Sequence, residues 1–182
     1  RDVLIEKCRF DQGDDGVVIK SGRNRDAWRL NAPTENVFVR DCELVSGHTL
    51  LGIGSEISGG VRNVLLKDCT ADSVNRIFYL KTNRRRGGVL EDIVCENVRV
   101  REAKASVFEI GTDVLYEWAD FPDYENRPTK IRNITARNLS CESAGCRVKI
   151  VGDPASPVEG VRIDNVVATK TKKPDVMTNV LK

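Results

Sequence analysis

Histidine and methionine each occur once in this chain, aromatic residues make up only 5% of it, and no long apolar run is present. A membrane helix needs about 18–20 consecutive apolar residues, so none is expected. A single His, with no Cys-x-x-Cys pair among the six cysteines, removes the usual Cys/His zinc sites. Charge of one sign is not in excess either. There are 29 Lys+Arg against 27 Asp+Glu, a net charge of +2, whereas an electrostatic nucleic-acid binder is usually strongly basic. The chain opens on Arg1 without a charged-then-apolar leader, which reads as a cut inside a longer protein. What remains is the composition of a folded core, 40% hydrophobic over 182 residues, expected to form a single domain over residues 1–182.

The most informative feature is a repeat. DVLIEKCRF (2–10), NVFVRDCEL (36–44), NVLLKDCTA (63–71), DIVCENVRV (92–100), NITARNLSC (133–141) and GVRIDNVVA (160–168) share a polar-apolar-x-apolar-x-x-apolar pattern. The last apolar position is Cys8, Cys42, Cys69, Val98, Leu139 and Val166, at separations of 34, 27, 29, 41 and 27 residues. Fixed units joined by variable loops produce such a spread. A weaker series lies between them: GVVIKSG (16–22), LLGIGSE (50–56), RIFYLKT (76–82), SVFEIGT (106–112), RVKIVGD (147–153) and VMTNVLK (176–182). Both series are short Val/Ile/Leu runs with period-2 alternation ending at Gly, Asn, Asp or Ser, which are strand signals. No apolar i, i+3, i+4, i+7 pattern supports a long helix.

Short strands recurring in coils of about 27 residues describe an all-β, right-handed parallel β-helix whose coils stack inward side chains into ladders. A propeller has a longer repeat, and the Leu/Asn signature of a leucine-rich solenoid is absent. On this reading Cys8, Cys42 and Cys69 stack as small core residues. Cys141 and Cys146 are close enough in sequence for a local disulfide in an oxidising compartment. Two segments break the rhythm, Arg23–Pro33 and Thr112–Thr129, and they carry both Trp residues. Loops of this kind on a rigid solenoid are where binding residues tend to sit. Solenoids need end caps, so the absence of polar caps suggests further coils beyond this sequence.

Gly13-Asp14-Asp15-Gly16 occupies the turn between two strands of the first coil. Paired carboxylates suit glycoside hydrolysis, in which one acid protonates the leaving oxygen and another carboxylate activates water. Adjacent residues reach one groove only where the backbone turns, and the flanking glycines permit that. One coil later stands Gly47-His48, and one coil further Lys81, followed by Arg84, Arg85 and Arg86. Corresponding positions of stacked coils lie about 4.8 Å apart, so Asp14, Asp15, His48 and Lys81 are expected to form a column on one face. The nearby cations complement an anionic polymer.

At these residues the chain resembles glycoside hydrolase family 28, the polygalacturonase and rhamnogalacturonase group. The matching segments are GDDGVVIKSG (13–22), GHTLLGIGSE (47–56) with SGGVRNV (58–64), and KTNRRRGG (81–88), in the family's order. The resemblance implies inverting hydrolysis of galacturonate-containing pectic polysaccharide, with no metal and no cofactor, outside the cytoplasm in an extracellular or periplasmic setting. It implies Asp14 as general acid, Asp15 as a helper in water activation, His48 as a group that tunes the acid or binds substrate, and Lys81 as a ligand for a sugar carboxylate. It also implies that this sequence is the C-terminal part of a catalytic domain, because the family's first catalytic Asp would lie upstream of Arg1. Weak activity or none is therefore expected of the isolated chain.

Two further departures bear on substrate. The family's Gly-His-Gly is Gly47-His48-Thr49 here, and Tyr79 stands where the family carries an Arg two residues before the binding Lys. Arg84 or Arg86 would have to supply the missing guanidinium. Loss of a bidentate carboxylate ligand favours a branched or methylated pectin over plain homogalacturonan. The competing functions are a catalytically silent polysaccharide-binding or structural β-helix and, ranked last, a lyase-like β-helix, which needs a calcium-binding acidic cluster. No nucleic-acid or membrane partner is expected.

Overall fold

The computed structural model describes residues 1–114 and 125–181. Parallel strands dominate, and their pairing follows the sequence repeat. β1 (Val3–Glu6), β4 (Thr34–Arg40), β6 (Val61–Lys67), the first part of β8 (Val89–Gly111), the first part of β9 (Lys130–Val151) and β10 (Val158–Thr171) pair in that order. Val3, Val37, Val64, Ile93, Ile134 and Val161 form one register row. The second series builds another ladder from β2 (Arg9–Phe10), β3 (Val17–Ile19), β5 (Glu43–Gly54), β7 (Thr70–Lys81), the later parts of β8 and β9, and β11 (Val176–Thr178). A short β12 (Val180–Leu181) pairs with the start of β10. The architecture is a right-handed parallel β-helix, the hand that parallel crossovers adopt.

The polar residue opening each repeat has a backbone task. Asp2, Asn36, Asn63, Asp92 and Asn133 have φ of 58, 57, 52, 56 and 56°, and Gly160 takes the same place at 61°. Asn, Asp and Gly tolerate this left-handed conformation best. Lys7, Asp41, Asp68, Asn97, Asn138 and Asn165 repeat it at the far end of each strand. The side chains also stack: Asn36 donates to Asp2 Oδ1 at 2.7 Å, and Asn63 donates to Asn36 Oδ1 at 2.6 Å. One residue type thus turns the chain and hydrogen-bonds coil to coil.

Inside, apolar ladders fill the bore. Phe78 and Phe108 are fully buried neighbours in the row Val17–Leu51–Phe78–Phe108–Val148, with stacked rings 4.8 Å apart. The Cys42 N–H points at Cys69 Sγ at 3.4 Å, and burial pushes the Cys69 thiol up to about 12. These thiols are core atoms. Cys141 and Cys146 correct the disulfide expectation, for all six cysteines are free. The two lie five residues apart on the same strand, a spacing of roughly 16 Å where a strand is straight, well beyond the roughly 7 Å limit for bridged Cα atoms.

The first loop adds one short helix that the apolar pattern did not mark. Asn24–Leu30 forms α1, with no side-chain cap at Arg23 and with Asn31 closing it at φ 46°. Tertiary contacts hold it: Ala27 is buried against Gly22, and Trp28 Nε1 donates to the Arg86 carbonyl at 2.8 Å. Most of the second loop, residues 115–124, lies outside the described residues. Among the described residues no helix is long and apolar enough to cross a membrane.

Candidate active site

The Asp14–Asp15 turn is fastened to the next coil by backbone bonds on both sides. The His48 N–H donates to the Asp14 carbonyl at 3.0 Å, and the Gly16 N–H donates to the Thr49 carbonyl at 2.7 Å. Gly47 makes this approach possible, since a Cβ there would lie 2.5 Å from the Asp14 carbonyl oxygen. The Gln12 side-chain amide donates to the Asp15 carbonyl from within the same turn.

The turn then sends the two carboxylates into different surroundings. Asp14 is outward, its side chain 84% exposed, and His48 Nδ1 lies 3.1 Å from its Oδ1. Asp15 is tucked under, its side chain 10% exposed, and Lys81 Nζ lies 3.5 Å from its Oδ2. Gly52 leaves the space for that carboxylate, because a Cβ there would sit 2.9 Å from Asp15 Oδ2. The Asp15 N–H donates to Asp14 Oδ1 at 2.8 Å. This bond, together with the charge and hydrogen bond of His48 and the charge of Lys81, outweighs partial desolvation and lowers the Asp14 pKa below its ordinary value.

The structure therefore brings Asp14, Asp15, His48 and Lys81 together, though not as a single register column. Lys81 belongs to the row of Gly54 and Gly111, further along the strand, and its side chain reaches back to Asp15. Tyr79 lies beneath it, with Lys81 Nζ 5.6 Å and the Arg76 guanidinium carbon 4.2 Å from the ring centre. Arg84 and Arg86 are engaged elsewhere. Arg84 bonds Asp153 Oδ2 at 3.2 Å. Arg86 is buried, donating to the Ser55 carbonyl at 2.9 Å and Asn24 Oδ1 at 2.8 Å, so it ties α1 to the solenoid. The buried Ser55 carbonyl needs a donor, and that need, with the half-buried Asn24 amide oxygen beside it, directs the guanidinium.

Arg76 is the residue the sequence reading missed. Its signal lies in register: it stands three residues before Tyr79, in the row of Thr49, Ser106 and Cys146. As for a metal, donor atoms of Asp14, Asp15 and His48 lie within 4.8 Å of one another. That spacing could admit a small cation, and the ammonium of Lys81 already supplies a positive charge beside Asp15.

Comparison with known proteins adds a separate line. The sequence model of glycosyl hydrolases family 28 matches residues 1–182. A probable polygalacturonase from Vitis vinifera is 29% identical over 178 residues, covering 93% of this chain and 35% of that protein. A polygalacturonase from Ralstonia solanacearum is 30% identical over 106 residues, covering 56% and 18%. Among solved structures, a hyperthermoactive exopolygalacturonase from Thermotoga maritima aligns with a TM-score of 0.87 at 34% identity, covering 97% of this chain and 39% of that one. A family 28 exopolygalacturonase from Yersinia enterocolitica shares the fold at a TM-score of 0.81 and 17% identity, covering 98% and 37%. The chain thus spans well under half the length of these relatives.

Proposed function

Since the chain belongs to glycosyl hydrolases family 28, we propose that it contributes the acid, base-side and carboxylate-binding residues for hydrolysis of glycosidic bonds in galacturonate-containing pectic polysaccharide. One observation carries this reading. Two adjacent carboxylates converge on one site yet differ in exposure, Asp14 paired with His48 and Asp15 with Lys81. Different surroundings push like groups toward different roles.

Asp14, the outward carboxyl, donates the proton to the leaving oxygen. In the free chain its lowered pKa keeps it ionised at neutral pH. A bound polymer covers it and brings further carboxylates near it, and both effects raise a carboxyl's pKa. Substrate thus prepares its own acid, with His48 Nδ1 close enough to orient it. Asp15 holds the attacking water. The Asp14 and Asp15 donor atoms fall within 4.8 Å, less than the roughly 6.5–9.5 Å that places a water between two carboxylates. The water therefore sits beside the pair, in reach of Asp15 and of the upstream aspartate that the family resemblance implies. Lys81 and Tyr79 receive a sugar carboxylate and a ring face. Arg84 and Arg86 we assign to holding the coils together. The setting is extracellular or periplasmic, as the polymer requires.

The test is reducing-end release from polygalacturonate and rhamnogalacturonan by the natural protein containing these coils, beside Asp14→Asn. Loss of general acid catalysis costs about 10²–10⁴-fold, so release falls by that factor on whichever polymer is cleaved. EDTA leaves the rate unchanged. Binding of either polymer without release points to a silent solenoid. Loss on EDTA treatment that calcium restores points to a lyase-like site.

A further inference from the structure

A line of contacts leads away from the acid site along the solenoid. Asp15 meets Lys81, Lys81 lies over Tyr79, Arg76 stacks on the same ring, and Arg76 Nε donates to Glu109 at 2.5 Å one coil further. Glu109 is 2% exposed and also accepts from Ser106 Oγ at 2.8 Å and Lys149 Nζ at 2.9 Å. Burial works to raise its pKa, but these three donors win and lower it. The carboxylate is therefore a fixed anion that pins Arg76 and Lys149.

These cations line a cavity of about 530 Å³, within the size range of small-molecule sites, together with Lys104, Lys172 and Lys173. Five cations face one lining carboxylate, Glu109, in a protein whose whole net charge is only +2. Arg76 and Lys149 are engaged by Glu109. Lys104, Lys172 and Lys173 are exposed, with no ion pair to a carboxylate among the described residues. The Lys172 and Lys173 N–H groups both donate to the Gly145 carbonyl, which holds this segment against the coil. Pro174, Val176 and Ala105 add an apolar lining.

Position gives the cavity its meaning. Thr49, beside His48, shares a register row with Arg76, Ser106 and Cys146. At about 4.8 Å per coil, Cys146 lies roughly 14 Å along the axis from the coil of His48 and roughly 19 Å from that of Asp14. A linear polymer lying in the groove and cleaved at Asp14 would pass over this cavity.

We propose that the cavity is a distal subsite for the carboxylates of a uronate polymer, with Lys104, Lys172 and Lys173 as its anion ligands and Glu109 as the residue that positions its cationic wall. The inference deepens the functional reading above and rests on it. It makes affinity depend on chain length: short oligomers fill the acid site alone, and long ones also reach the lysines.

The test is calorimetric binding of short and long oligogalacturonates to the natural protein and to a Lys172→Gln/Lys173→Gln variant. Both lysines are exposed, so the fold should persist, and thermal melting checks it. Long-oligomer affinity should fall about 3–30-fold, as for loss of two exposed charge contacts, while short-oligomer affinity is unchanged. A neutral galactan of equal length should not distinguish the two proteins. If the wild type binds long oligomers and the variant matches it, the distal subsite is overturned and the functional reading stands. An equal loss for short and long oligomers also overturns the subsite. If the wild type binds no oligogalacturonate, both fall.

Discussion

Asn63 combines two duties in one side chain, a φ of 52° and a hydrogen bond to the preceding coil. Alanine in that backbone conformation costs about 1–2 kcal/mol, a penalty glycine escapes. Either substitution also loses a hydrogen bond of about 1 kcal/mol. Asn63→Ala should therefore destabilise more than Asn63→Gly, the reverse of the order expected in an ordinary strand, and urea denaturation of both variants checks it. Asp14 offers the matching electrostatic test. The Asp15 N–H, then His48 and Lys81, lower its pKa. His48→Ala should raise the Asp14 pKa toward the ordinary carboxylate value, read by carboxyl NMR titration. The sign for stability follows. A carboxyl whose folded value is depressed contributes above its unfolded pKa and loses that contribution as pH falls through the folded value. With this side chain 84% exposed, solvent screening keeps that contribution small.

Each coil contributes the same two strands, and the interior ladder makes their packing cooperative. Phe78 and Phe108 anchor it with rings stacked 4.8 Å apart. Phe78→Ala should cost about 3–5 kcal/mol, visible as a shift of the denaturation midpoint, whereas Phe78→Leu should cost less because it leaves a smaller void. The strands were legible in sequence because left-handed Asn and Asp positions and apolar rows recur at the same offsets in every coil. The row from Cys8 to Val166 stands in the structure as the alignment places it, with Val98, Leu139 and Val166 paired directly. Helix α1 was not legible. It has seven residues and no side-chain cap, and it is held by Trp28 bonding the distant Arg86 carbonyl and by Ala27 packing on Gly22. The direction of Arg84 and Arg86 was not legible for a related reason. A basic run in a turn reveals charge but not direction, and direction here is set by Asp153 and by the Ser55 carbonyl.

At the scale of the molecule, the solenoid turns sequence separation into a short axial distance. Residues 34 apart, such as Asp14 and His48, become neighbours. The same rule joins Arg76 to Glu109 across 33 residues and Glu109 to Lys149 across 40. In coil order Asp14 and Asp15 are thereby followed by Lys81, Tyr79 and Arg76 and then by the lysines of the proposed subsite, a sequence of fields suited to an extended polyanion. The Asp pair and the His were readable because they sit at coil-to-coil offsets in a recognisable order. The Glu109 network was not: Glu109 stands in register with Tyr79 and Lys149, and Arg76 with Ser106, but the bond that joins the two rows, Arg76 to Glu109, is set by side-chain reach.

The most direct test of the account is the anomeric configuration of the first product. Proton NMR during hydrolysis by the natural protein should show new reducing ends in the configuration opposite to the bond cleaved, and Asp14→Asn should abolish their appearance on the same timescale. Retention of configuration would contradict the account. It would mean that the close Asp14–Asp15 pair works through a covalent glycosyl intermediate, with Asp15 as nucleophile and not as the holder of water.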